Sequence, residues 1–111
     1  MAVRVDLQCP FATAQAILFT PPSPVNITGW NLRFTVQLKS NPANALLTKT
    51  SGSGITVNDA ANGLFTVNVS ATDTGTTLEA RQYEYTVTRT DAGFEDLLAY
   101  GLFTVFELRP L

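Results

Sequence analysis

The sequence predicts an all-β, immunoglobulin-like sandwich of about seven antiparallel strands. Two observations carry this. Short runs alternate apolar and polar residues with a period of two, and Gly, Asn, Asp and Pro separate them at about the 8–12-residue spacing of a sandwich. No window holds a 3.6-residue period for long, so helices are not expected to build the core.

The strongest run is Trp30 to Lys39. Trp30, Leu32, Phe34, Val36 and Leu38 alternate with Asn31, Arg33, Thr35, Gln37 and Lys39. Successive strand side chains point to opposite faces, so one face is apolar and the other polar. Each fully buried large side chain on such a face contributes about 1.5–3 kcal/mol. This strand is therefore expected at the centre of the core. Ile55–Asn58 and Leu64–Ser70 read as a hairpin, because the connector Asp59-Ala60-Ala61-Asn62-Gly63 is rich in residues that tolerate positive φ. Phe65, Val67 and Val69 form its apolar parity. Arg81 to Arg89 is the next strand, with Tyr83, Tyr85 and Val87 facing one way. Asp91-Ala92-Gly93 is a turn, and a final strand carries Phe103 and Val105. Phe94 to Tyr100 could hold a helical turn, which Gly93 before it and Gly101 after it limit. Ala45–Thr50 reads as a short, weaker strand that ends at Ser51-Gly52-Ser53-Gly54. Near the start, Val3, Val5 and Leu7 suggest an opening strand and Ala16–Phe19 another. Pro21-Pro22-Ser23-Pro24 is a stiff connector without backbone donors at its prolines.

The length of 111 residues suits one domain, 1–111, whose first 24 residues form an atypical opening. Charged residues make up 14% of the chain, against a usual ~25%. The formal net charge is -2 and the charges are scattered. No basic stripe points to nucleic acid, and no polybasic or amphipathic basic segment points to a membrane surface. No secretory signal is read at the start, and the apolar runs fall short of the ~20 residues that span a bilayer. A single cysteine, Cys9, rules out a disulfide within the chain and suits a reducing compartment.

The residues offer little chemistry. Histidine is absent, which removes Ser-His and Cys-His nucleophiles and most zinc sites. Cys9 has no close basic neighbour to activate it and reads as a structural thiol. Glu95 and Asp96 are adjacent, so an extended backbone would aim them at opposite faces. Asn58, Asp59, Asn62 and Asp73 lack the spacing of a calcium loop and read as turn residues. Trp30, Tyr83 and Tyr85 lie on core parities, whereas Tyr100 is open to a sugar-stacking role. Asn26-Ile27-Thr28 and Asn68-Val69-Ser70 match a glycan-acceptor pattern, which means little without a secretory signal. No catalytic residue, cofactor or metal is expected, and the chain is not expected to be an enzyme.

One pattern departs from a half-buried strand. The final strand is apolar on both parities, with Leu102, Phe106 and Leu108 opposite Phe103 and Val105. Either the N-terminal segment folds back over that second face or another subunit covers it. Leu102, Phe106 and Leu108 are therefore the expected partner-contact residues.

Several stretches together resemble a known module. Asn26-Ile27-Thr28-Gly29-Trp30-Asn31-Leu32-Arg33-Phe34-Thr35-Val36 is similar to the "(Asp/Asn)-Leu-Thr-Gly-x-x-(Val/Leu)-x-Phe-x-Val" stretch of the immunoglobulin-like domain at the N-terminus of phage upper-baseplate proteins. Lys49 to Val57 and Asn62 to Val67 look like its next two landmarks. Tyr83 to Val87 and Gly101 to Val105 look like its closing strands. The resemblance spans about Val25 to Glu107 and transfers no catalytic residue. It implies a non-enzymatic bacteriophage virion structural protein, made in the host cytoplasm, with other virion proteins and copies of itself as partners. The resemblance favours a tail or baseplate position, and the short chain favours head decoration. A carbohydrate-binding or adhesion module, using Tyr100 with Asn and Asp side chains, is the alternative.

Overall fold

The structure, a computed structural model, describes residues 3–20, 25–38, 40–79, 81–93 and 95–106. It is an all-β fold with nine strands among those residues: β1 (Val3–Arg4), β2 (Leu7–Pro10), β3 (Gln15–Phe19), β4 (Leu32–Leu38), β5 (Asn41–Ser51), β6 (Gly54–Asp59), β7 (Leu64–Val69), β8 (Gln82–Arg89) and β9 (Asp96–Phe106). The number exceeds seven mainly because the expected opening strand is two short segments. Hydrogen-bonded neighbours run β1/β2, β9, β8, β4, β5, β6, β7, β3. β5 and β6 meet at only two pairs, Thr50 with Gly54 and Ser51 with Ile55. There the ladder folds over, leaving a larger layer of β1/β2, β9, β8, β4 and β5 opposite a smaller layer of β6, β7 and β3.

Aromatic contacts run within each layer, and one of them, Phe19 with Tyr85, joins the two. Phe19 of β3 stacks on Phe65 of β7 with ring centres 5.2 Å apart, and it reaches Tyr85 of β8 at 6.2 Å. Phe34 of β4 lies 5.5 Å from Tyr85 and 6.1 Å from Phe103. The alternation in β4, β7 and β8 is realised as expected: Leu32, Phe34, Val36, Phe65, Val67, Val69, Tyr83, Tyr85 and Val87 are all buried. The β6–β7 hairpin forms too. A short 3-10 turn, Ala60–Asn62, leads into Gly63 at φ 78, a left-handed conformation that glycine adopts without a Cβ clash.

The structure corrects four expectations. The backbone from Asp96 to Tyr100 is extended and forms the first half of β9, not a helical turn. Its pairing with β8, including Ala99 opposite Val87 and Tyr100 opposite Thr86, outweighs any local helical preference. β5 covers 11 residues instead of a short strand, because β4 supplies partners from Asn41 to Thr50 and β6 adds two more at its end. β1 and β2 run parallel to β9, so the sheet is not wholly antiparallel. Trp30 precedes β4 and does not lead it. Asn26 Oδ1 accepts bonds from the Thr28 amide at 3.0 Å and the Thr28 hydroxyl at 2.6 Å, forming an Asx turn. That turn buries Ile27 and leaves Trp30 half-buried against the core rim, with the Arg89 guanidinium 4.1 Å from its ring centre. Gln37, on the nominally polar parity, is buried where the β4–β5 register shifts.

The connection between β7 and β8 is firmly fastened. The Tyr83 hydroxyl accepts from the Glu79 amide at 2.8 Å and donates to the Glu79 carbonyl at 2.9 Å. This is the tyrosine corner found in immunoglobulin-type sandwiches. Asp73 accepts from the Ser70 amide at 2.8 Å, while Ser70 Oγ accepts from the Asp73 amide at 3.1 Å. Lys49 Nζ of β5 lies 2.7 Å from the Asp73 carboxylate, joining this corner to the larger layer.

Candidate interaction surface

β9 lies between β8 on one side and β1/β2 on the other. Ala99, Gly101, Phe103 and Val105 point inward and are buried. Tyr100, Leu102, Thr104 and Phe106 have the opposite parity, with Tyr100 39% exposed, while Leu98 at the β8–β9 register shift packs against the core. Leu102 and Phe106 are half-exposed on this outer face, where the sequence predicts contact residues. Leu108 lies outside the described residues. The N-terminal strands do fold back onto β9, but they extend its sheet edge in the plane and do not lie over its outer face.

The apolar positions on that face alternate with polar ones. Tyr100 is paired with Arg4 on one side and Thr86 on the other, and Leu102 with Glu84. Thr104 is paired with Gln8 and Gln82, and Phe106 with Pro10. At about 3.3 Å per residue, Leu102 and Phe106 sit ~13 Å apart along the strand. The surface is thus a row of separated apolar contacts with threonine and glutamine between them.

The N-terminal segment, expected as an opening strand that either folds back over the second face of the final strand or leaves it to another subunit, instead runs parallel along the edge of β9 as a strap, a pairing that side-chain alternation alone does not signal. Val5 and Asp6 form the break between β1 and β2. The Val5 amide donates to the Tyr100 carbonyl at 2.9 Å, and the Tyr85 hydroxyl donates to the Val5 carbonyl. Asp6 Oδ1 accepts from the Leu102 amide at 3.0 Å, and this bond leads the lowering of the Asp6 carboxyl below its ordinary range. Burial, with the Asp6 charge adding to it, pushes the Tyr85 phenol up to about 12. Gly101 is the signal that points to the strap: a Cβ built there meets the Val5 carbonyl oxygen. Beyond β2 the chain crosses to β3 and is pinned by Thr74, whose hydroxyl accepts from the Thr13 amide at 3.1 Å and donates to the Thr13 carbonyl at 2.9 Å.

Most of the remaining candidate groups are engaged in turns or core packing, and Glu95 and Asp96 are exposed. Cys9 is fully buried and burial pushes its thiol pKa up, the reverse of an activated nucleophile. Asp91 accepts from Arg89 at 2.8 Å and from the Asn31 amide at 3.0 Å; Arg89 above all holds its carboxyl below the ordinary range. Glu95 and Asp96 are exposed beside Arg33 and Arg89 in a shallow, open groove. Asp59 accepts from Asn62 at 2.8 Å and Asn58 from Thr66 at 2.6 Å, while Asp73 is tied to Lys49 elsewhere. Among the described residues, no three or more of His, Cys, Asp and Glu converge as metal ligands, and no helix is long and apolar enough to cross a membrane. No protein-family model matches the chain, and no curated protein matches it either.

Proposed function

We propose that this chain is a non-enzymatic structural protein of a bacteriophage virion, an assembly module of the tail or baseplate or of the head surface. The observation that carries the reading is the outer face of β9, where Tyr100, Leu102 and Phe106 stand on a strand hydrogen-bonded along both edges. Apolar groups held on a rigid strand lose little conformational freedom on docking, which suits repeated assembly contacts. The resemblance of residues 26–36, 49–57, 62–67, 83–87 and 101–105 to the phage baseplate module supports the virion setting. Partners in this reading are other virion proteins.

Phe106→Asp tests it. A buried interfacial carboxylate without a partner is strongly unfavourable, so this variant is expected to fold and to be lost from purified particles. Unchanged incorporation would rule out this surface. Copy number then separates the two placements: on the order of hundreds per particle means head, and a small multiple of three or six means tail. Glycan binding that disappears in Tyr100→Ala would replace this reading with an adhesion module.

A further inference from the structure

The two ends of the strand order differ in how they are finished. The β1/β2 end is interrupted at Val5–Asp6, carries Arg4 and Asp6, and closes on Pro10. Breaks, charges and prolines are the devices that keep sheet edges from pairing with other chains. β3 stands at the opposite end and has none of them. It pairs with β7 on one side, and among the described residues no strand pairs with its other side. No charged residue occurs between Asp6 and Arg33. The rest of this layer is equally neutral: Gly54–Asn58 and Leu64–Val69 contain no charge, and Asp59 sits at the extreme end of β6. Leu18, on the outer face of β3, is 59% exposed, the highest value among the exposed large hydrophobic side chains of the described residues.

From this we infer that β3 is a self-association edge, and that a second copy of this chain pairs with it antiparallel about a twofold axis at Ile17. An uncharged edge is self-complementary. Two copies meet with no like-charge repulsion and no ion to desolvate, while each supplies the backbone donors and acceptors the other lacks. With Ile17 opposite Ile17 of the second copy, Ala16 of each chain faces Leu18 of the other, and Gln15 faces Phe19. Opposed residues share a sheet face, so the exposed Leu18 settles over the small Ala16 on both sides of the axis. The half-buried Ile17 gains cover from its own copy. The three-stranded layer becomes one continuous six-stranded sheet, and the outer face of β9 in the other layer stays free. This inference does not depend on the virion reading.

Sedimentation of the full chain between ~1 and ~100 µM tests it, a range that spans weak to moderate self-association. The expected result is a shift from one chain mass to two as concentration rises, with amides of residues 15–19 exchanging more slowly at the high end. Leu18→Lys and Ala16→Lys alter exposed positions, so both are expected to melt like the parent. Each should weaken the dimer by ~10-fold or more, because the two introduced lysines lie diagonally across the axis at ~7–8 Å and each sets an ammonium against the apolar residue it faces. Phe106→Asp is expected to dimerise normally, which separates this edge from the β9 face. A parent that stays monomeric throughout would overturn the inference. So would a dimer that either lysine variant leaves unchanged, or exchange at residues 15–19 that is independent of concentration.

Discussion

Gly101→Ala is the perturbation whose cost the structure defines most directly. A Cβ built at Gly101 overlaps the Val5 carbonyl oxygen and comes 2.8 Å from the Val5 carbonyl carbon and 3.0 Å from Asp6 Oδ1. The first two are backbone atoms, so no side-chain rotation relieves the overlap, and the N-terminal strap must move off β9. That movement breaks the Val5 amide bond to the Tyr100 carbonyl and the bond from the Tyr85 hydroxyl to the Val5 carbonyl. At ~0.5–1.5 kcal/mol net each, the two amount to about 1–3 kcal/mol. The Asp6 bond to the Leu102 amide is lost as well, but it lies in solvent and adds little. For a domain near this size, each kcal/mol lowers Tm by ~4–8 °C, so a fall of about 4–24 °C is expected. Hydrogen exchange provides the second measurement. Amides of Val5, Leu7 and Cys9 should lose protection while those of β4 and β8 keep theirs, since the strap is an edge and the central strands are not. If Tm falls by under about 2 °C and the Val5 amide stays protected, the close approach at Gly101 does not hold the strap and the reasoning fails.

Two further perturbations probe the β7–β8 connection. Tyr83→Phe deletes a hydroxyl that makes two bonds to Glu79, and it is expected to cost about 1–2 kcal/mol with an unchanged denaturant m-value; a neutral result in urea unfolding would show that the corner contributes nothing. Burial alone would raise the Asp73 carboxyl pKa, but Lys49 and Ser70 outweigh it and hold the group below its ordinary value of 3.8. A depressed native pKa contributes stability that is complete above the unfolded value and is lost as pH falls through the native one. Asp73→Asn should therefore be less stable than the parent at neutral pH and show a shallower loss below about pH 4; parallel stability curves for the two proteins would count against the coupling.

Much of the architecture was legible in the residues because periodicity is a local property. The alternation in Leu32–Leu38, Leu64–Val69 and Gln82–Arg89 names the inward face of each strand, and a slip of one residue would put Phe34 or Tyr85 into water. The Asn62-Gly63 turn and the Asp91-Ala92-Gly93 turn were equally visible, since each needs backbone conformations that few residues adopt. Leu102 and Phe106 were found as outward-facing apolar groups on the same grounds. The sequence by itself thus determined which runs become strands, which faces enter the core and where the chain reverses.

Tertiary structure decided which strand lies beside which. Nothing local tells Val3–Pro10 to run parallel to β9 instead of pairing with β3, yet that choice covers one sheet edge and, among the described residues, leaves the other unpaired. Nothing local makes Asp96–Tyr100 extended; β8 does so by offering it a hydrogen-bonding partner. The exposure of Leu18 and the burial of Gln37 likewise depend on neighbours distant in the chain. Side-chain alternation specifies a face, whereas an edge is made of backbone groups that are the same in every residue except proline. Their partners are chosen by the closure of the whole sandwich, and that closure determines where this protein has surface left for another chain.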